Sequence, residues 1–347
     1  MRCNMATIYD IAKLSGISAA TVSYVINGRG DEKRISKKTQ EKVLAAAERL
    51  NYRPNITARQ LKMTGNRSVR IAAFWPEFYF EQSLVSAMRA VSNVIQASTE
   101  EIEVSVHFFT PGRLHEVWEK GNYVSYNGIL LAGASLEDLS YLSTQARAVP
   151  IVLINRTLEG FSSVSIDHVQ AGRMACDLAF TSGGDSICAV WDSRFHVATN
   201  LRRTAFEIRS EELGIASAIS HFTCEGISDA GYTLAISLLQ KNALKKVLYC
   251  NNESIARGIV SALLEMDVKI GSDVFLFTAN NGGDTFCRYL TPPVTEIHLR
   301  IREVFEQGLK TCLRLIVHPG EEIKGILLQP TIIYRQSLPS RETEDTK

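Results

Sequence analysis

ATIYDIAKLSGISAATVSYVINGRGDEKRISKKTQEKVLAAAERLNYRPNITARQL, from Ala6 to Leu61, is the most informative stretch of the 347-residue chain. Thr7-Ile8-Tyr9-Asp10 has the T-x-x-D spacing of a capping box, with the shorter Asp in place of Glu. Ile8, Ile11, Ala12 and Leu14 then share one face, and Ser15-Gly16 ends a first short helix. Ser18 caps a second that starts at Ala19, with Val22, Val25 and Ile26 inward and Asn27-Gly28 as its stop. Ser36 caps a third, whose buried stripe is Val43, Ala46, Ala47 and Leu50. Pro54 stops it, because proline disfavours helix at the residue before it. Two helices joined by a Gly-containing turn, with a third completing the core, predict a helix-turn-helix unit. In such units the start of the second helix meets base edges in the major groove; here those residues are Ser18, Ala19, Ala20, Thr21, Ser23 and Tyr24. A three-helix module that binds protein is the competing reading.

Charge favours DNA. The whole chain carries a formal +1, but residues 1–70 hold 14 Lys and Arg against 5 Asp and Glu, a net of +9. The remainder holds 24 against 32, a net of −8. A basic head on a mildly acidic body predicts an anionic polymer as partner of the head alone.

IYDIAKLSGIS, TVS-x-VIN, IS-x-x-T-x-x-KV and LNYRPN-x-x-AR-x-L together closely resemble the head of the lactose-repressor (LacI/GalR) family of bacterial transcription regulators. The resemblance implies DNA contacts from Thr7, Tyr9 and Asn27 besides the second helix; the loop from Gly28 to Arg34 is somewhat long against common members and places Arg29, Lys33 and Arg34 to meet phosphates. The resemblance also implies a hinge helix at 55–61, with Asn55, Ala58 and Arg59 on DNA and Leu61 wedged into a minor-groove base step. Seven residues make a marginal helix alone, so its formation can be coupled to ligand state. An ordinary linker is the bland alternative. This head departs from common members: Tyr24 stands where many carry a guanine-reading Arg, and Ala19 and Ala20 offer only apolar contact, for example to a thymine methyl.

From Ser68 onward the pattern changes. Short apolar runs at 69–74, 104–109, 128–132, 150–154, 186–190, 246–250 and 274–277 read as strands. Helical segments fall at 80–97, 136–146, 169–180, 199–213, 228–240 and 255–266. Alternation of this kind predicts doubly wound parallel sheets, and the length predicts two subdomains with a cleft. The fold expected is therefore an α helix-turn-helix head on an α/β body, and the family resemblance makes that body one of periplasmic-binding-protein type. The expected ranges are 1–54 for the head, 55–67 for hinge and linker, and 68–340 for ligand sensing and dimerisation. Within the last, the N-subdomain takes about 68–164 and 296–325, the C-subdomain about 165–295 and 326–338, leaving a polar tail at 341–347. Residues 340–347 lack a leucine heptad, which speaks against a tetramerising helix.

Ligands of open α/β sheets bind beyond the carboxyl ends of strands. Asn155, Asn252 and Asn280 fall there, with Arg202 opening a helix, and the four match effector-binding positions of the family; a strand-end cap or turn residue is the alternative for each. Asn155 and Asn280 stand where many members have Asp, which makes an acidic or phosphorylated effector a hypothesis. Phe78, Tyr79, Phe80 and Trp191 are aromatics that can stack on a sugar ring or fill the core, and Phe80 joins the expected ligand set.

No G-x-G-x-x-G, Walker A or G-x-S-x-G motif is present, and the seven His never recur at metal-ligand spacing, so no enzyme, cofactor or metal is expected. Seven Cys without a C-x-x-C pair suggest buried thiols in a reducing compartment. The N-terminus is not a signal peptide and no apolar run reaches membrane-spanning length, so a cytoplasmic protein is expected. The reading is a homodimeric, ligand-responsive repressor of carbohydrate-utilisation genes on a palindromic DNA operator. A corepressor-dependent regulator, an activator, or a sensor of a non-sugar molecule is the alternative.

Overall fold

This computed structural model describes residues 8–26, 30–50, 68–77, 81–121, 123–145, 149–194, 196–281, 286–321 and 325–338. The expectations for Thr7, Asn27, Arg29, Asn55, Ala58, Arg59, Leu61, Phe78, Tyr79, Phe80 and the tail lie outside them.

The head contains α1 (Ile8–Ser15), α2 (Ala19–Ile26) and α3 (Lys37–Arg49). Gly16 turns between the first two at φ +65°, a conformation that suits a residue with no Cβ. Ser18 and Ser36 cap the next two helices, each side-chain oxygen accepting from the amide three residues on at 3.2 Å. Ile11, Val22, Val25, Val43, Ala46 and Ala47 make the core, with Ala12, Ile26 and Leu50 packed on it. Leu14 does not join them: it is 44% exposed, one residue before the helix ends and too far round its face to reach α2 or α3.

The body has two six-stranded sheets among the described residues. The first is ordered β11-β5-β4-β3-β1-β2, using β1 (Val69–Pro76), β2 (Ile102–Phe109), β3 (Gly128–Ala132), β4 (Ile151–Ile154), β5 (Ser162–Ile166) and β11 (Gly325–Leu328). All its ladders are parallel. Its helices are α4 (Glu81–Gln96), α5 (Leu114–Lys120), α6 (Leu136–Ser143) and, arriving from far along the chain, α11 (Ile301–Val317), which packs on β3, β4, β5 and α4. The second sheet is ordered β12-β10-β9-β8-β6-β7, using β6 (Ile187–Asp192), β7 (Ile219–Cys224), β8 (Val247–Cys250), β9 (Phe275–Asn280), β10 (Thr295–His298) and β12 (Thr331–Ile333). Its helices are α7 (His168–Gly183), α8 (Val197–Glu212), α9 (Ser228–Gln240) and α10 (Glu253–Glu265). Here β12 runs antiparallel to β10, the one antiparallel pair named among these strands.

The chain passes between sheets after β5, after β10 and between β11 and β12. Each passage falls later than the expected subdomain ranges. Ser165 and Ile166 still pair within the first sheet, Glu296 to His298 pair within the second, and Ile326 to Leu328 pair with β5. Ladder hydrogen bonds set these points, and apolar patterning does not report them. Strands β5, β7, β10, β11 and β12 and helices α5 and α11 are elements the sequence reading did not name. Burial of β5 as Ser-Ser-Val-Ser-Ile shows why: three serines in a fully buried strand hide the apolar run.

Close packing depends on small residues where helices meet. A Cβ on Gly258 would lie 1.8 Å from the Ser228 carbonyl oxygen, and one on Gly231 would lie 2.3 Å from that of Ile255, so α9 and α10 touch backbone to backbone. Gly258→Ala is expected to destabilise the body by about 1–3 kcal/mol, the usual cost of overpacking. Urea unfolding reads this directly, and an unchanged midpoint would contradict the crossing described.

Candidate DNA-reading head and ligand cleft

The start of α2 is open to solvent. Ser18, Ala20 and Tyr24 are exposed, Ala19, Thr21 and Ser23 are half-buried, and Tyr9 on α1 is 77% exposed. The Ser18 hydroxyl lies 2.8 Å from that of Thr21 as well as capping the helix, so both are held in place rather than free to rotate. The Lys33 ammonium lies 5.5 Å from the Tyr24 ring centroid, which brings a cation beside the exposed aromatic. Arg34 is exposed at φ +57°. The structure thus gathers Tyr24, Lys33 and the first turn of α2 on accessible surface; it places no nucleic acid on them.

In the body, three of the four expected ligand residues, Asn155, Asn252 and Asn280, sit at or just past strand ends, Arg202 lies within α8, and each has partners within the fold. Asn155 follows β4 at φ +54°, and its side-chain oxygen accepts from the Ile166 amide at 3.0 Å. Asn252 caps α10, accepting from the Ser254 amide at 2.7 Å and donating to Asp192 at 3.1 Å. Asn280 ends β9 and donates to Glu296 at 2.8 Å. Arg202 is 1% exposed. Its Nε donates to the Asn251 side-chain oxygen at 2.9 Å, Nη2 to the Asn251 carbonyl at 3.3 Å, and Nη1 faces His168 Nδ1 at 3.2 Å. Trp191 is core: it packs edge-on to Phe206 and Tyr249, and its indole N–H donates to His221 at 3.0 Å.

Around Arg202 lie groups that the sequence reading passed over. Arg156, next to Asn155, is 7% exposed and donates from Nε to the Ala134 carbonyl at 2.5 Å and from Nη1 to the Asn155 carbonyl at 2.6 Å. His168 opens α7 directly after the first passage between sheets. Burial, then the charges of Arg202 and Arg156, hold its ring well below the usual imidazole range, so it is neutral. A guanidinium only donates, so Nδ1 accepts and the ring proton is on Nε2. Asp192 ends β6: burial pushes its carboxyl up, but the bidentate Arg194 outweighs that and leaves it below the ordinary carboxylate range. Glu253, at the start of α10, is driven the other way by burial, partly offset by hydrogen bonds that include the Asn281 amide at 3.3 Å. The Ser83 hydroxyl of α4 donates to the Asn281 carbonyl at 3.4 Å, joining the two halves at this point. Only the adjacency of Arg156 to Asn155, and of Glu253 to Asn252, hinted at these residues in sequence.

His298 Nδ1 lies 3.2 Å from Glu296, which also pairs with Arg335 at 3.1 Å, in a buried cluster. Among the described residues no group of His, Cys, Asp and Glu is placed to hold a metal ion. No helix among them is long and apolar enough to cross a membrane.

Comparison with known proteins agrees with this division. Residues 7–55 match the model for bacterial regulatory proteins of the lacI family, and residues 181–338 match a periplasmic binding protein-like domain. The HTH-type transcriptional repressor PurR of Haemophilus influenzae is 28% identical over 350 residues, covering 97% of this chain and 99% of the relative. The ribose operon repressor of the same organism is 24% identical, covering 97% and 99%. The crystal structure of the lac repressor dimer bound to operator and the anti-inducer ONPF superposes with a TM-score of 0.67 at 19% identity, covering 97% of this chain and all of that one, which is a likeness of fold. The relatives are transcriptional repressors and not enzymes.

The upward shift of Glu253 has a measurable sign. Its folded-state pKa lies above the unfolded value, so its contribution to stability is present below the ordinary carboxylate range and is lost as pH rises through the folded pKa. Glu253→Gln, which cannot ionise, is expected to be more stable than the parent at pH 8, with the gap closing as pH falls toward 4. Denaturant midpoints across that range check it, and a gap independent of pH would contradict a carboxyl that resists ionisation.

Proposed function

This chain is a member of the lacI family of bacterial regulatory proteins and a DNA-binding transcriptional repressor, and from that premise we propose that it grips a twofold-symmetric operator as a homodimer under control of a carbohydrate-like effector in its cleft. The observation that carries the reading is the head itself: a packed three-helix core with the first turn of α2 held rigid by its cap and left in solvent. One head reads one half-site, so a palindrome needs two heads related by a dyad.

The contact set is Thr7, Tyr9, Ser18, Ala19, Ala20, Thr21, Ser23, Tyr24, Asn27, Arg29 and Arg34 from the head, with Asn55, Ala58, Arg59 and Leu61 from the hinge. The net +9 of residues 1–70 supplies salt-dependent affinity, and the start of α2 supplies discrimination. In the division we favour, 1–54 is the head, 55–67 the hinge and linker, and the two sheets with their helices the sensor. Asn155, Arg202, Asn252, Asn280 and Phe80 border the effector site, whose amides and guanidinium suit a polyol. A relative named for a ribose operon supports carbohydrate control. The protein acts in the cytoplasm, where its operator is.

DNase I footprinting on the promoter region upstream of its own gene tests the reading. The expected result is one protected, roughly palindromic site whose affinity falls steeply with salt. Leu61→Ala is expected to weaken that site tenfold or more, on the order of the few kcal/mol tied to a wedged base step, while nonspecific binding changes little. Protection without dyad symmetry, or equal loss on specific and random DNA, would overturn the reading.

A further inference from the structure

Two buried groups around Arg202 keep hydrogen-bonding capacity that the described residues do not use, and a third, Arg156, is a buried cation among neutral carbonyls. His168 Nε2 and Glu253 Oε1 have no hydrogen-bond partner, although His168 is 6% exposed and Glu253 1% exposed. Arg156 donates from Nε and Nη1 to two carbonyls, and no carboxylate among the described residues lies at ion-pair distance from it. Buried polar groups are nearly always paired, and a buried guanidinium facing only neutral carbonyls is costly.

These three come from different parts of the fold. Arg156 follows β4 in the first sheet, His168 begins the helix after the first passage, and Glu253 begins α10 on the second sheet. They form one neighbourhood: His168 bonds Arg202 and feels the charge of Arg156, and Glu253 feels the charge of Arg202. The Arg156 cation and the His168 Nε2–H donor match an anionic oxygen group. One acceptor, Glu253 Oε1, matches a hydroxyl.

We propose that the effector is a hydroxylated anion, a sugar acid or a sugar phosphate, whose charged oxygens lie on Arg156 and His168 and whose hydroxyl donates to Glu253. This rests on the reading of the chain as an effector-controlled repressor, and it moves the recognition of charge away from Asn155 and Asn280, whose amides serve Ile166 and Glu296. The consequence is mechanical. Arg156 follows β4 in the first sheet, and Arg202 lies on α8 beside the second. An anion held by Arg156 and by His168, whose other ring nitrogen faces Arg202, links the two halves.

The test uses the full-length protein with D-glucuronate, D-ribose 5-phosphate and inorganic phosphate, set against D-glucose, D-ribose and sodium chloride of matched ionic strength. Thermal melting and calorimetry are expected to show that at least one of the three anions stabilises the protein beyond the chloride control, and that neither neutral sugar does so as well. Glucuronate against ribose 5-phosphate separates carboxylate from phosphate recognition. Arg156→Gln and His168→Phe are each expected to weaken that anion about tenfold or more, as loss of a charge-assisted bond does. Arg156→Lys and His168→Gln, milder changes that preserve a charge or a donor, are expected to fall between. Arg203→Gln, whose guanidinium lies over Trp191 and pairs with Glu207, is expected to bind as the parent does. The proposal is overturned if no anion exceeds chloride, if a neutral sugar stabilises more than every anion, or if the milder variants bind undiminished. Footprinting of the same samples separates the two levels: operator protection relieved or strengthened by a neutral sugar alone leaves the repressor reading standing and removes the anion, whereas no symmetric protection under any condition removes the reading beneath it.

Discussion

Arg202 carries a permanent positive charge with almost no access to water, so protein groups have to replace its hydration. Much of the ligand-facing half of the body follows from how that is done. Asn251, just past the end of β8, gives the guanidinium both its side-chain oxygen and its carbonyl, while its own amide group donates to the Thr199 carbonyl on α8. His168 gives Nδ1 and thereby fixes its tautomer. Gly172 lets α7 approach α8 closely, since a Cβ there would lie 2.2 Å from the Arg202 carbonyl oxygen. One buried cation thus ties a strand end, two helices and the passage between sheets into a single arrangement, with Asp192, Arg194 and Asn252 forming a second polar layer beside it.

The head solves a different problem. Its core is small, and its identity as a DNA reader lies in the residues it leaves outside that core. Positive charge is concentrated in the first 70 residues, and the exposed start of α2 carries two alanines and Tyr24.

The sequence made the head legible because each local signal agreed with the next: caps at Ser18 and Ser36, a turn at Gly16, and apolar spacing that closes one core. Leu14 failed because a helical face near a terminus need not meet a neighbour. In the body, long apolar strands were readable, but β5 hid behind its serines, β7 alternates at the sheet edge, and α11 returns to the first sheet from more than a hundred residues away. The site was legible only in part. Asn155, Asn252 and Asn280 could be placed at strand ends, yet an Asn in that position caps, turns and binds with the same atoms, and here its bonds within the fold became visible only in three dimensions. His168 gave no local signal, since nothing in a sequence marks which polar atom will be buried without a partner.

If cleft and operator are linked through this body, the linkage has to be reciprocal: whatever factor the effector applies to DNA affinity, DNA must apply to effector affinity. Measuring both factors on one preparation, operator affinity with and without saturating effector and effector affinity with and without saturating operator, is the most direct test of the central claim. The account predicts two equal factors, each on the order of 5–150-fold. An effector that binds the cleft while leaving operator affinity unchanged would contradict it.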